Sequence, residues 1–222
     1  MHTDEDRIVE VVPRDYSYVF NPYREPIARV KPGERVTIHT DDAFESRITK
    51  KENLPSRALA TAKFLNPQTG SVFVEGAEPG DTLAVRIESI EPTRDFAVSV
   101  LIPYFGGLTS TNLTRTLQEP LPEKVWIWDL IDGGNNLVNE ELGVKLPWEP
   151  FLGTLAVAPD LEAITALAPV PSGATWMCLT SGRATRSTCP YGIPARSSTQ
   201  VIATPGRGKE NCAESRWRSL PR

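Results

Sequence analysis

Two carboxylates hold positions from which a side chain can act on a small molecule. Asp42 follows an alternating apolar–polar run over 35–40, where a carboxylate can face a cleft and carry a proton for a reacting group. The same position suits an Asp that caps a turn. Glu75 closes the run Val72-Phe73-Val74 just before Gly76, which fits a metal ligand or a general base, and equally a solvated strand-end charge. His39 is one of two histidines, the other being His2, and it lies on the polar face of its run, where surface residues usually sit. With so few histidines the chain cannot build a conventional His-rich zinc site. Gly106-Gly107 can let backbone approach a small substrate, or can simply turn the chain. A Gly-x-Ser-x-Gly elbow, a phosphate-binding Gly-Lys-Ser loop and a His-Glu-x-x-His pair are all absent from the sequence. Thr109-Ser110-Thr111 reads as strand edge or loop rather than as a nucleophile.

The elements that must position these residues are mostly strands. Val36 and Ile38 alternate with polar neighbours over 35–40, and Leu83, Val85 and Ile87 do so over 82–90. Further strands are predicted over 8–12, 71–75, 97–102, 125–130 and 152–157, and one short helix over 56–64, with a Ser as its cap. Twenty prolines spread along the chain argue against long helices. Two turns repeat one device: Lys31-Pro32-Gly33-Glu34 and Glu78-Pro79-Gly80-Asp81 each lead into an alternating run. Pro presets φ and Gly accepts φ > 0, as a type II turn requires. Asp132-Gly133-Gly134-Asn135-Asn136 is the best candidate for a boundary inside the front of the chain.

The chain has 222 residues, of which 40% are hydrophobic and 23% charged, the composition of an ordinary soluble protein with room for a sizeable core. It has no bilayer-length apolar run and an acidic, polar start, Met1-His2-Thr3-Asp4-Glu5-Asp6, so the expected location is the cytoplasm, with no membrane partner. Past Gly173 the character changes. Residues 174–222 carry eight of the 24 basic residues and two of the 28 acidic ones, a net +6 against −10 for the front. They also hold all three cysteines, Cys178, Cys189 and Cys212, at a spacing that matches no zinc pattern. A basic tail on an acidic body can be a nucleic-acid arm, which would bind DNA with steep salt dependence. Periodicity stops there too, and an irregular tail is expected over 174–222 beside a β domain over 1–173.

Four segments, in order, carry a resemblance. They are His39-Thr40-Asp41-Asp42-Ala43-Phe44; Phe64-Leu65-Asn66-Pro67-Gln68-Thr69-Gly70, then Val72-Phe73-Val74-Glu75-Gly76-Ala77-Glu78-Pro79-Gly80-Asp81-Thr82-Leu83; Ile102-Pro103-Tyr104-Phe105-Gly106-Gly107-Leu108; and Pro150-Phe151-Leu152-Gly153-Thr154-Leu155-Ala156-Val157-Ala158-Pro159. Together they resemble the acetamidase/formamidase family over about the first three quarters of the chain. The family continues with a Gly-Gly-Asn-Met-Asp segment, a stretch ending Tyr-Leu-Pro-Val, and a Gly-Asp-x-His-Ala-x-Gln-Gly motif. None of these is visible after Gly173.

They reappear when the last base of each codon is joined to the first two of the next. Trp176-Met177 then encodes only Asp, and Met177-Cys178 only Val. With permitted third bases, Gly173 to Thr180 reads Gly-Asn-Met-Asp-Val-Pro-Asp, Ser187 to Tyr191 reads Tyr-Leu-Pro-Val, and Gln200 to Asn211 reads Gly-Asp-Cys-His-Ala-Arg-Gln-Gly-Glu-Gly-Glu. The tail reads as a one-base frame slip, its basic charge and cysteines as by-products of translation, and nucleic acid is not expected as a partner.

The resemblance implies a mainly β sandwich or barrel with few short helices and hydrolysis of small linear amides to carboxylate and ammonia. It implies a divalent metal, zinc by preference, held by Asp, His and Glu of the displaced motif with Asp42 and Glu75 as residual ligands. It makes Asp42 and Glu75 the catalytic candidates and Gly106 and Gly107 the substrate-binding ones. The partners implied are a small amide and further copies of the chain. Loss of the motif implies impaired activity, and the alternative reading is a β module that binds ligand without catalysis.

Overall fold

The computed structural model describes residues 7–78, 82–105, 120–150, 152–159 and 161–167, together with the backbone of strands at 186–188, 200–205 and 211–220. In chain order the elements are β1 (Ile8–Val11), β2 (Val19–Phe20), β3 (Ala28–Val30), β4 (Arg35–His39), α1 (Pro55–Leu59), β5 (Thr69–Val74), β6 (Thr82–Pro92), β7 (Phe96–Leu101), β8 (Lys124–Ile131), β9 (Asn136–Asn139), β10 (Val144–Pro147), β11 (Leu152–Val157), β12 (Ile164–Thr165), β13 (Arg186–Thr188), β14 (Gln200–Pro205) and β15 (Asn211–Leu220). Every run read as a strand from its alternation is one. No helix among the described residues is long and apolar enough to cross a membrane.

The chain divides into two units. The first comprises Met1–Ala43, Asn66–Thr93 and Glu149–Arg222. It holds a five-stranded sheet in the order β1-β4-β15-β6-β13, a four-stranded sheet in the order β11-β14-β5-β3, and the short pair β12-β2. Val11, Val36, Ile38 and Val85 from the first sheet and Val30, Val72, Val74 and Val157 from the second bury themselves in one cluster. One apolar face from each sheet meeting in a common core is a β-sandwich. The mainly β expectation holds.

The turn at Lys31-Pro32-Gly33-Glu34 is closed by the Glu34 N–H donating to the Lys31 carbonyl at 3.1 Å, with Gly33 at φ +94°. Its partner device at Glu78-Pro79-Gly80-Asp81 lies largely outside the described residues. Of the tail read as irregular, three stretches are described and each is a strand. β15 pairs antiparallel with β6 from Asn211↔Pro92 to Leu220↔Thr82 and with β4 from Cys212↔His39 to Arg216↔Arg35. β14 lies between β11 and β5, and β13 pairs with β6. Pairing uses main-chain N–H and C=O groups that any residue but Pro supplies, so it needs no alternation in the side chains.

The second unit comprises Phe44–Leu65 and Arg94–Trp148. Its sheet runs β10-β9-β8-β7, all antiparallel, over a core of Ile48, Ala58, Val98 and Val125. The helix is shorter than 56–64. Pro55 stands at its start, Leu54 offers no side-chain cap, and Glu123 takes that role by accepting from the Ser56 N–H at 2.9 Å and its hydroxyl at 2.8 Å. The segment 132–136 is not a boundary between units. It is the tight connection between β8 and β9, with Ile131 facing Asn136 and Gly133 and Gly134 at positive φ. Glycines at such angles mark a hairpin turn as readily as a linker.

Candidate functional site

Asp42 is placed by an alternation that outlasts its strand. Val36, Ile38, Thr40 and Asp42 are all buried while the residues between them are not, so the carboxylate continues the inward row of β4. It is 2% exposed, and an Asp is almost never buried so deeply without partners. Asp41 shapes the turn behind it: one oxygen accepts from the Asp42 N–H at 2.7 Å and the other from the Tyr16 hydroxyl at 3.1 Å. Asp41 thus takes part in forming this turn beside Asp42.

The segment entering β5 runs alongside. Thr69 Oγ1 donates to the His39 carbonyl at 2.8 Å, and the Asn66 N–H donates to the Ala43 carbonyl at 3.0 Å. Asn66 sits at φ +65°, a left-handed conformation that Asn tolerates better than most residues. Its side-chain nitrogen donates to Thr154 Oγ1 of β11 and to the Ala166 carbonyl, both at 3.3 Å. Gln68 Nε2 turns back to the Asn66 carbonyl at 2.9 Å, while the Gln68 backbone exchanges bonds with Ser17 at 2.7 and 3.2 Å. Ser17, Thr40, Asp42, Gln68, Thr69 and Thr154 are all buried. Buried polar groups are costly unless bonded, and the bonds just given tie Asn66, Gln68, Thr69 and Thr154 to one another or to the neighbouring backbone.

The other expected site residues fall elsewhere. Glu75 is exposed in the turn after β5, its N–H donating to the Val30 carbonyl at 2.8 Å. The Asp42 segment lies beside the start of β5 and Glu75 beyond its end, about 20 Å away at ~3.3 Å per strand residue. The two carboxylates are therefore not brought together. His39 pairs through Nε2 with Glu10 at 2.8 Å, both at the surface. Gly106, Gly107 and Thr109-Ser110-Thr111 lie outside the described residues, as do Cys178 and Cys189. Among the described residues no three His, Cys, Asp or Glu side chains converge to hold a metal ion, so the expected ligand pair does not form a described metal centre.

Asn66, Gln68, Thr69 and Thr154 were not singled out as site residues in the sequence. The available signal was the compact polar run Asn66-Pro67-Gln68-Thr69 directly before an apolar strand.

This is a β-sandwich with a buried acidic and amide-bearing cluster at one end of its strands. The model of the acetamidase/formamidase family matches residues 10–210, and the chain belongs to that family. The match continues past Gly173. Among solved structures, the acetamidase from Yersinia enterocolitica is 30% identical and superposes with a TM-score of 0.74, over 96% of this chain and 68% of that one. The acetamidase from Bacillus halodurans shares the fold at 20% identity and a TM-score of 0.76, over 95% of this chain and 70% of that one. A gamma lactamase from Delftia acidovorans shares it at 14% identity and a TM-score of 0.60, covering 91% and 63%. No curated protein matches the chain.

Proposed function

We propose that the chain hydrolyses small linear amides such as formamide and acetamide to carboxylate and ammonia, with Asp42 as the group that moves the proton. One observation carries this reading: in a member of an amide-hydrolysing family, the carboxylate of Asp42 is deeply buried beside the segment 66–69, which bonds to the backbone of His39 and Ala43 on either side of it. Amide resonance gives the C–N bond partial double-bond character, so the nitrogen is a poor leaving group until protonated. In the proposed step water adds to the carbonyl carbon as its proton passes to Asp42. Asp42 then returns that proton to the nitrogen as the C–N bond breaks, giving the carboxylic acid and ammonia. A positioned general acid–base typically contributes about 10²–10⁴-fold. Asp42→Asn is expected to lower ammonia release by about 10²-fold or more, within that range, with folding intact by circular dichroism. Unchanged release would remove Asp42 from the chemistry.

Strand pairing and reading frame are separate matters, because the main chain pairs in any frame. The frame-slip reading rests on the family motif emerging in register from Gly173 onward. The chain as translated is then slower than one restored to the other frame, which regains the Asp-x-His motif. The expected metal draws its ligands from that motif: the restored chain should purify with about one zinc ion, within a four-ligand site, and the 222-residue chain should not. Elemental analysis of both decides it; equal metal content sinks the frame-slip account.

A further inference from the structure

We infer that Asn66 recognises the amide nitrogen of the substrate through its side-chain oxygen, an inference that rests on the proposed amide chemistry beside Asp42. Every other hydrogen-bonding group of Asn66 is engaged. Its N–H donates to the Ala43 carbonyl and its C=O accepts from Gln68 Nε2. Its side-chain nitrogen has two hydrogens and two acceptors, Thr154 Oγ1 and the Ala166 carbonyl. A carbonyl oxygen can only accept, so the nitrogen must face Ala166, and this fixes the side-chain oxygen on the opposite branch. Among the described residues that oxygen meets no donor. Asn66 is half-buried, so a small molecule can reach it, whereas Thr154, Ala166 and Gln68 behind it are closed off.

An acceptor oriented this firmly, bonded through its own backbone to the residue after Asp42, suits a ligand that brings an N–H. A primary amide has two such hydrogens, and an N,N-dialkyl amide of the same acyl group has none. Asn66 is thereby a specificity residue for unsubstituted amides. The geometry is set before binding, because the left-handed backbone and the two side-chain bonds hold the oxygen without any rearrangement.

The test is a ligand-observed NMR titration of the purified 222-residue chain with acetamide and with N,N-dimethylacetamide. Acetamide is expected to bind roughly fivefold more tightly, the size of one neutral hydrogen bond. Asn66→Gly keeps the left-handed backbone and removes the oxygen, so the two affinities should converge to within about twofold, the bond's contribution being lost. Asn66→Ser serves the same purpose if the glycine variant does not fold. A preference that survives in the glycine or serine variant overturns the inference, as does its absence from the unsubstituted chain. Asp42→Asn should lose turnover and retain the preference. Full turnover in that variant sinks the proposed chemistry while the titration still judges Asn66.

Discussion

At the scale of single residues, burial separates the two carboxylates that their types alone left equivalent. Asp42 follows an alternating row inward, whereas Glu75 leaves its strand into a turn open to water. Glu75→Gln is therefore expected to change the rate of ammonia release by less than about threefold, against the 10²-fold or greater loss for Asp42→Asn. Parallel kinetics on the two variants checks this, and comparable losses would return Glu75 to the site. Asp42 was legible as a candidate because the period-2 pattern of 35–40 extrapolates to it. For Glu75, strand-end position alone does not say whether the residue faces a cleft or solvent, and in the structure it is exposed. Asn66 and Gln68 share one segment, but Thr154 and Ala166 come from distant ones, and no local pattern announces the bonds of Asn66 that join them.

At the scale of elements, the strands were readable wherever one face is apolar, while the helix was placed with Ser56 as its cap and carried on to 64, though it ends at Leu59. Glu123, distant in sequence, supplies that cap, and no local pattern announces it. The turn before β4 supports a stability prediction. Gly33 at φ +94° has open space where a Cβ would sit, so Gly33→Ala costs conformation alone. A loss of about 1–2 kcal/mol is expected, the penalty of an L side chain in that region, and urea unfolding of the variant measures it. An unchanged midpoint would mean the turn relaxes without cost. In the second unit, Glu141 bonds to both Lys124 at 2.6 Å and Lys51 at 2.9 Å. Lys124 first, and Lys51 with it, lower its pKa from 4.5 to about 2. A depressed carboxylate stabilises the fold above its unfolded pKa and loses that contribution as pH falls through the folded one, so the window lies between about 4.5 and about 2. Being at the surface, the pair should matter little for stability, and the direct readout is the carboxyl titration itself. In Lys124→Met the Glu141 midpoint should climb toward its ordinary value; an unmoved midpoint would mean Lys124 is not its main partner.

At the scale of the whole molecule, the sandwich, the family and the polar cluster agree, and the tail is where sequence and backbone speak differently. Its side chains lack alternation, yet its described stretches fill positions between β4 and β6 and between β5 and β11. Those positions belong to the sheets, whose main chains can be paired by a segment of either frame. The chemical content of the tail depends on the frame. The division into two units was not legible, because the second unit is assembled from two separated stretches, 44–65 and 94–148, and no composition change marks their ends.

The most direct test compares ammonia release from acetamide by three chains: the 222-residue chain, the chain restored to the other frame after Gly173, and the restored chain carrying Asp42→Asn. The restored chain should be fastest, the 222-residue chain slower but measurable, and the Asp42→Asn variant at least about 10²-fold below its parent, as loss of a proton-transfer group requires. Equal release by all three, or none from the restored chain, would contradict the account.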